Sequence, residues 1–191
     1  MSGKLGKIER IDRKLVHKGH IINFYEDTMR LPDGREVVWD IVGHKGASAV
    51  MAKKKNGKYL MVRQYRDAVQ RETLEIPAGG KDSAQEDPML TAKRELEEET
   101  GYKSKELKLL TSLQTTVGFC EEVIDIYLAT DLEKGEQHLD EDEYMNIEEY
   151  SLNELVSKVF SGEIRDGKTI AAIMMCRAME DEGIELEGRK S

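Results

Sequence analysis

Cysteine is scarce in this chain: Cys120 and Cys176 are the only two, far apart and outside any Cys-x-x-Cys spacing. A disulfide framework is therefore not expected, and two reduced thiols in a cytoplasmic protein is the reading. Four histidines (His17, His20, His44 and His138) show no zinc-ligand spacing, which argues against zinc. No apolar run approaches the roughly 20 residues that span a bilayer. The basic start, MSGKLGKIERIDRK, is followed by no apolar stretch of the kind a secretory signal needs. Basic charge is also in short supply, with 29 Lys and Arg against 38 Asp and Glu and a net charge of −9. Duplex binding relies on basic patches that neutralise phosphates, so neither a nucleic-acid nor a membrane partner is expected.

The 191 residues, 39% hydrophobic and 35% charged, suit one soluble domain with a small appendage and exclude a disordered chain. The acidic balance adds a constraint. If the substrate is itself an anionic phosphate, cations must screen the repulsion, and bound Mg²⁺ is the natural source.

No internal repeat or low-complexity linker is visible. The first 45 or so residues read as extended, with β-rich stretches at 20–25 and 35–42 around Leu31-Pro32-Asp33-Gly34. Asp-Gly after proline is turn chemistry, so an antiparallel ribbon is expected. Such a ribbon is marginal alone and needs something to pack on, either the rest of the chain or a second subunit. A second hairpin, 47–53 and 59–65, turns on Asn56-Gly57, and further strands are expected near 72–76, 107–116 and 123–128. Three helices are read: Glu86 to Thr100 stopping at Gly101, a short one opened by the capping box Ser151-Leu152-Asn153-Glu154, and Lys168 to about Glu180. Beyond them, 183–191 reads as a frayed, charged end. This order of elements suggests a mixed sheet with helices on its faces.

The first of these helices carries the chemistry. At 100° per residue, Met89, Ala92 and Leu96 form an apolar stripe, while Glu95, Glu98 and Glu99 share a neighbouring face and Glu97 points away. Three carboxylates on one face repel each other unless a cation sits among them. Hard oxygen ligands of this type suit Mg²⁺ or Mn²⁺. Arg94, four residues before Glu98, is placed to orient one of them. A glutamate-rich helix end is by itself most often a solvated face. Here the spacing of the whole stretch sets that reading aside: Gly80, five residues, Glu86, seven residues, Arg94-Glu95-Leu96, one residue, Glu98-Glu99, one residue, Gly101-Tyr102.

That spacing matches the Nudix box, G-x5-E-x7-R-E-U-x-E-E-x-G-U, at every fixed position, and the chain resembles Nudix hydrolases from about residue 45 to 180. Gln64-Tyr65-Arg66 and Glu75-Ile76-Pro77-Ala78-Gly79-Gly80 resemble the ADP-ribose pyrophosphatase subgroup in particular. The resemblance implies an α/β fold: an α/β/α sandwich around a mixed sheet over residues 46–191, with residues 1–45 as a small antiparallel β ribbon that exchanges between subunits of a homodimer. It implies metal binding by Glu95, Glu98, Glu99 and the carbonyl of Ala78, with Arg94 orienting and Glu86 structural. Arg66 resembles a substrate-phosphate contact, against the plainer reading of a surface arginine at a strand end. The base is expected in the acidic loop Leu139-Asp140-Glu141-Asp142-Glu143-Tyr144, where Glu141 is favoured, Asp140 and Asp142 stay open, and Glu143 is a possible further metal ligand. Gly118 and Phe119 match substrate-loop positions. Val117 departs from the subgroup, which carries proline there.

The implied reaction is Mg²⁺-dependent hydrolysis of a nucleoside diphosphate derivative, ADP-ribose first, with Mn²⁺ a possible substitute. Nucleotide sugars, dinucleotides and NADH are the alternatives within the family. A non-hydrolytic nucleotide-binding module is the alternative outside it, and it sits poorly with a box that keeps all its glutamates.

Overall fold

Strand periodicity over the N-terminal residues yields three strands where the sequence suggested two. They are β1 (Glu9–Lys18), β2 (Asn23–Arg30) and β3 (Glu36–Gly43), paired antiparallel in that order. β1, ERIDRKLVHK, is exposed at nearly every position, so it carries little of the apolar alternation that marks a strand in sequence. The turn at Leu31–Gly34 is present: Gly34 donates to the Leu31 carbonyl at 2.9 Å and takes φ +87°, a conformation glycine adopts without strain. The computed structural model describes residues 6–139 and 144–186. It divides into two units, one running to Gly46 and including Gln114–Glu122, the other holding Ala47–Leu113 and the chain from Val123 onward.

In the first unit the interior is ionic. Asp27 is 3% exposed. Arg13 grips its carboxylate with Nε and Nη2, each at 2.7 Å, and Arg10 Nη1 adds a bond at 3.3 Å. Arg13 also donates to Glu121 of the joined segment at 2.8 Å. Val42 N donates to Phe119 O at 2.7 Å and Glu121 N to Val42 O at 2.9 Å, so the segment adds itself to the edge of β3.

The second unit is built on β4 (Ala47–Lys53), β5 (Tyr59–Arg66), β6 (Arg71–Glu75), β7 (Ala78–Gly80), α1 (Pro88–Thr100), β8 (Tyr102–Lys103), β9 (Leu107–Gln114), β10 (Val123–Ala129), β11 (Glu133–Lys134), β12 (Met145–Tyr150), α2 (Leu152–Phe160) and α3 (Gly167–Glu182). Its main sheet runs β12-β5-β4-β10-β9, with β6 on β5 and β7 on β4. β10 lies parallel to β4, whereas β5 and β12 are antiparallel, so the sheet is mixed. Period-two alternation sorts its residues onto two faces. Ala47, Ala49, Met51, Ile124 and Ile126 pack with Leu152, Leu155, Ala172 and Ile173 of α2 and α3. Val50, Ala52, Tyr127 and Ala129 pack with Ala92 and Leu96 of α1. The result is the expected α/β/α sandwich. β12, with a glutamate pair among its six residues, lacks the apolar alternation that marks a strand in sequence. The capping box at Ser151 is present with both bonds, and α3 extends to Glu182 before Gly183 ends it at φ +63°. Among the described residues no helix is long and apolar enough to cross a membrane.

Candidate active site

Local chemistry fixes where α1 starts and stops. Asp87 caps it, its side chain accepting from Met89 N at 2.9 Å, and Pro88 takes the first turn, where its missing N–H costs nothing. The helix thus begins two residues after Glu86, which sequence reading had placed inside it. Glu86 instead accepts from Asp82 N at 2.6 Å and closes the loop between β7 and α1. Gly101 ends the helix at φ +68°, donating to Glu97 O.

Ala92 and Leu96 are fully buried, and the opposite edge of that stripe brings Glu95 and Glu99 against β7, at 8% and 3% exposure. Glu99 Oε2 accepts from Ala78 N at 3.0 Å. The Glu95 carboxylate lies over Gly79 so closely that a Cβ there would overlap its carboxyl carbon and both oxygens. Glycine at 79 is therefore a space requirement, set by a buried carboxylate against backbone. Glu98 is half-exposed, and Glu97, pointing away as expected, pairs with Lys103 at 2.7 Å.

Arg94 stands between the carboxylates. Its Nη1 is 2.7 Å from Glu95 Oε1 and 3.0 Å from Glu98 Oε2, and its Nη2 donates to Gly80 O at 3.0 Å. Its Nε is buried without a hydrogen-bond partner among the described residues. In these positions no three acidic, His or Cys side chains among the described residues are gathered as a ligand set. The guanidinium supplies the positive charge at this face. The donors nonetheless fit a hard divalent cation: every one is an oxygen, and two of the carboxylates are nine-tenths buried.

The C-terminal end of α1 is tied to residues 135–138. Gln137 Nε2 donates to Glu99 O at 2.7 Å, His138 N to Glu98 O at 3.0 Å and Gly135 N to Gly101 O at 2.7 Å. The acidic residues Asp140, Glu141, Asp142 and Glu143 follow in sequence and lie outside the described residues.

Arg66, at the end of β5, forks onto Glu75 of β6, with Nε–Oε1 and Nη2–Oε2 both 2.9 Å. Burial alone would push the Glu75 carboxyl up, but Arg66 and Lys168 hold it down at about 2. Sequence reasoning missed both Glu75 and Lys168. The available signal was a glutamate set between Leu74 and Ile76 in an otherwise apolar stretch, where a charge needs a partner. Gly118 and Phe119 belong to the first unit. There they line a cavity of about 240 Å³ together with Arg13, Asp27, Trp39 and Glu121. Phe119 is 54% and Val117 81% exposed. A side chain at Gly118 would meet nothing within 4 Å, so local packing does not require glycine there.

Comparison with known proteins bears on the chain as a whole. The NUDIX domain model matches residues 43–173. An ADP-ribose pyrophosphatase of Bacillus subtilis (strain 168) is 39% identical over 172 residues, 89% of this chain and 92% of the relative. A methanol dehydrogenase activator of Bacillus methanolicus is 38% identical over 180 residues, 93% of this chain and 97% of the relative. A crystal structure of an ADP compounds hydrolase superposes with a TM-score of 0.82 at 20% identity, covering 95% of this chain and 99% of the other, a likeness of fold. With a family match over most of its length and near-full-length relatives close to 40% identical, this chain belongs to the Nudix hydrolases, as a pyrophosphohydrolase.

Proposed function

We propose that the chain hydrolyses the pyrophosphate of a nucleoside diphosphate derivative in a Mg²⁺-dependent reaction, with ADP-ribose as substrate and AMP and ribose 5-phosphate as products. The observation that carries this is the packing of Glu95 and Glu99 onto the backbone of Ala78 and Gly79, with Glu98 beside them and Arg94 as their resident cation. Buried carboxylates repel one another and favour a counter-cation, and an arginine already fills that need in part.

Glu95, Glu98, Glu99 and the Ala78 carbonyl would hold the ion, with Glu143 as a further ligand; Mn²⁺ suits the same oxygens. When bound, such an ion neutralises phosphate charge and acidifies water. Arg94 holds Glu98 at 3.0 Å and anchors itself on Gly80 O, which fixes the carboxylate's reach. Arg66 contacts a substrate phosphate through the edge of its guanidinium not engaged by Glu75. The proton of the attacking water passes to a carboxylate of the 140–143 stretch, Glu141 first and Asp140 or Asp142 otherwise. The bond from His138 N to Glu98 O brings the chain just ahead of that stretch to the end of α1. Gly118 and Phe119 are substrate contacts in this reading on the family resemblance of their positions alone.

The near-full-length likeness to a protein named ADP-ribose pyrophosphatase supports the substrate choice. Incubation with Mg²⁺ and a panel of ADP-ribose, nucleotide sugars, dinucleotides and NADH, with products identified by ³¹P NMR, tests it. AMP and ribose 5-phosphate from ADP-ribose at the highest kcat/KM are expected. A nucleotide sugar or dinucleotide cleaved faster would replace the substrate, and no cleavage in the panel would overturn the reading. The relative named as a methanol dehydrogenase activator supports a second reading, in which the chain regulates a dehydrogenase. An unchanged methanol dehydrogenase rate on addition of the chain removes it.

A homodimer through the N-terminal sheet is supported by the apolar residues which that sheet leaves exposed, among them Leu15 at 48% and Val38 at 61%. Light scattering at micromolar concentration should give twice the 21.7 kDa chain mass, and a monomer mass contradicts it. A reducing cytoplasmic location is consistent with Cys120 and Cys176, both of which are free thiols.

A further inference from the structure

Lys168 is an unusual residue to find at the start of α3. Its side chain is only 10% exposed, and its ammonium lies 2.5 Å from Glu75 Oε2 and 3.0 Å from Asp166 Oδ2. A lysine buried this far loses solvation and rotamer freedom, which is sustained only by good partners. A stability role alone would be met by an apolar residue of similar volume. The partners point elsewhere. Glu75 is held from three directions: Arg66 chelates both its oxygens at 2.9 Å, Thr73 Oγ1 donates to Oε1 at 2.6 Å, and Lys168 holds Oε2.

The remaining contacts carry the same arrangement into the backbone of the site. Asp166 caps α3 by accepting from Thr169 N at 3.0 Å, and the Thr169 hydroxyl, fully buried, accepts from Ile76 N at 3.0 Å. Ile76 lies two residues before Ala78. The start of α3 with its cap, Asp166 to Thr169, thus touches both the carboxylate that steers Arg66 and the backbone leading to the carboxylate-bearing face of α1.

We propose that Lys168 is a positioning residue for the reaction: it fixes the plane of the Glu75 carboxylate and thereby aims the guanidinium of Arg66 at the substrate's diphosphate. Arg66 sits on a strand end with a side chain 43% exposed, so its direction is set by what it is chelated to. A carboxylate held only by Arg66 would turn with it, and the pair would swing as a unit. With Lys168 and Thr73 anchoring the carboxylate, Nε and Nη2 are occupied by Glu75, while Nη1 makes no hydrogen bond to the described residues. Lys168 acts through Glu75 and does not itself contact the substrate. The inference rests on the reading of Arg66 as a phosphate contact.

A double-mutant cycle between Lys168→Met and Arg66→Ala, read in KM and kcat for ADP-ribose and separately in Tm, tests it. Loss of aim weakens a contact made in both ground and transition states, so Lys168→Met is expected to raise KM by roughly 10-fold, the lower end of what loss of a supporting residue costs, and to change kcat much less. Lys168→Arg, which keeps a cation on Glu75, is expected to recover most of that loss. In the Arg66→Ala background Lys168→Met should add nothing further to KM, whereas its Tm loss in that background is set separately by the partner the two cations share, Glu75. If Lys168→Met does not fold, Lys168→Gln takes its place in the cycle. A normal KM in the Lys168 variant beside a raised one in Arg66→Ala overturns the positioning role and leaves the role of Arg66 standing. Effects on KM that multiply in the double variant overturn it too. A normal KM in Arg66→Ala removes the phosphate contact and this inference with it.

Discussion

The two units of this chain fill their interiors by opposite means. The sandwich buries Ala49, Met51, Ile126, Leu96 and Leu155 completely, on two faces of one sheet. The three-stranded sheet buries a carboxylate, Asp27, under Arg10 and Arg13, and leaves Ile8, Leu15, Ile21 and Val38 exposed. Apolar burial stabilises whatever it covers, whereas a buried charge cluster is weak evidence for stability. The sandwich is also the unit that packs the Glu95 and Glu99 carboxylates against backbone.

Four substitutions sharpen this contrast, from the largest expected effect to the smallest. Glu99→Gln keeps an acceptor for Ala78 N but removes the charge. It should leave the circular dichroism spectrum unchanged while kcat falls by at least about 100-fold, more than loss of a merely supporting residue. Near-normal turnover would break the division of labour by taking catalysis away from α1. Leu96→Ala in the sandwich core should cost about 2–5 kcal/mol in denaturant unfolding. Asp27→Asn should cost about 1–3 kcal/mol, because Arg10 and Arg13 are part-exposed and recover water when their partner's charge is lost. Ile21→Thr, at a residue 74% exposed, should stay within about 0.5 kcal/mol. A loss at Ile21 as large as that at Leu96 would show an apolar interior in the smaller unit. Acid unfolding should follow the same lines. The hydrogen bond from Arg13, aided by Arg10, holds the Asp27 carboxyl below its ordinary 3.8 in spite of burial. Its contribution is then full above that pH and drains as pH falls beneath it, an effect that Asp27→Asn should abolish in acid melts.

How much of this was legible in sequence depended on the range of each interaction. Helix α1 was legible because its signals are local: the spaced box, the apolar stripe through Ala92 and Leu96, and Gly101 at the end. Its start was misread at Glu86 because a helix former there masked the stronger Asp87-Pro88 cap. The three glutamates were legible as a face but not as two environments. That Glu95 and Glu99 go under β7 while Glu98 stays half outside depends on how α1 lies on the sheet. The bond between Lys168 and Glu75 spans 93 residues and left no periodic trace. β1 and β12 were invisible for a different reason: their charged residues hide the alternation on which strand recognition depends.

The central claim is that the acidic side of α1 seats a divalent ion beside a bound diphosphate. A crystal structure with Mg²⁺ and a non-hydrolysable α,β-methylene analogue of ADP-ribose tests it most directly. The account predicts the ion among Glu95, Glu98, Glu99 and the Ala78 carbonyl, with Arg94 still on Glu98 and Gly80 O and the Arg66 guanidinium against the analogue's phosphates. An ion and analogue bound elsewhere, with those glutamates empty, would contradict it.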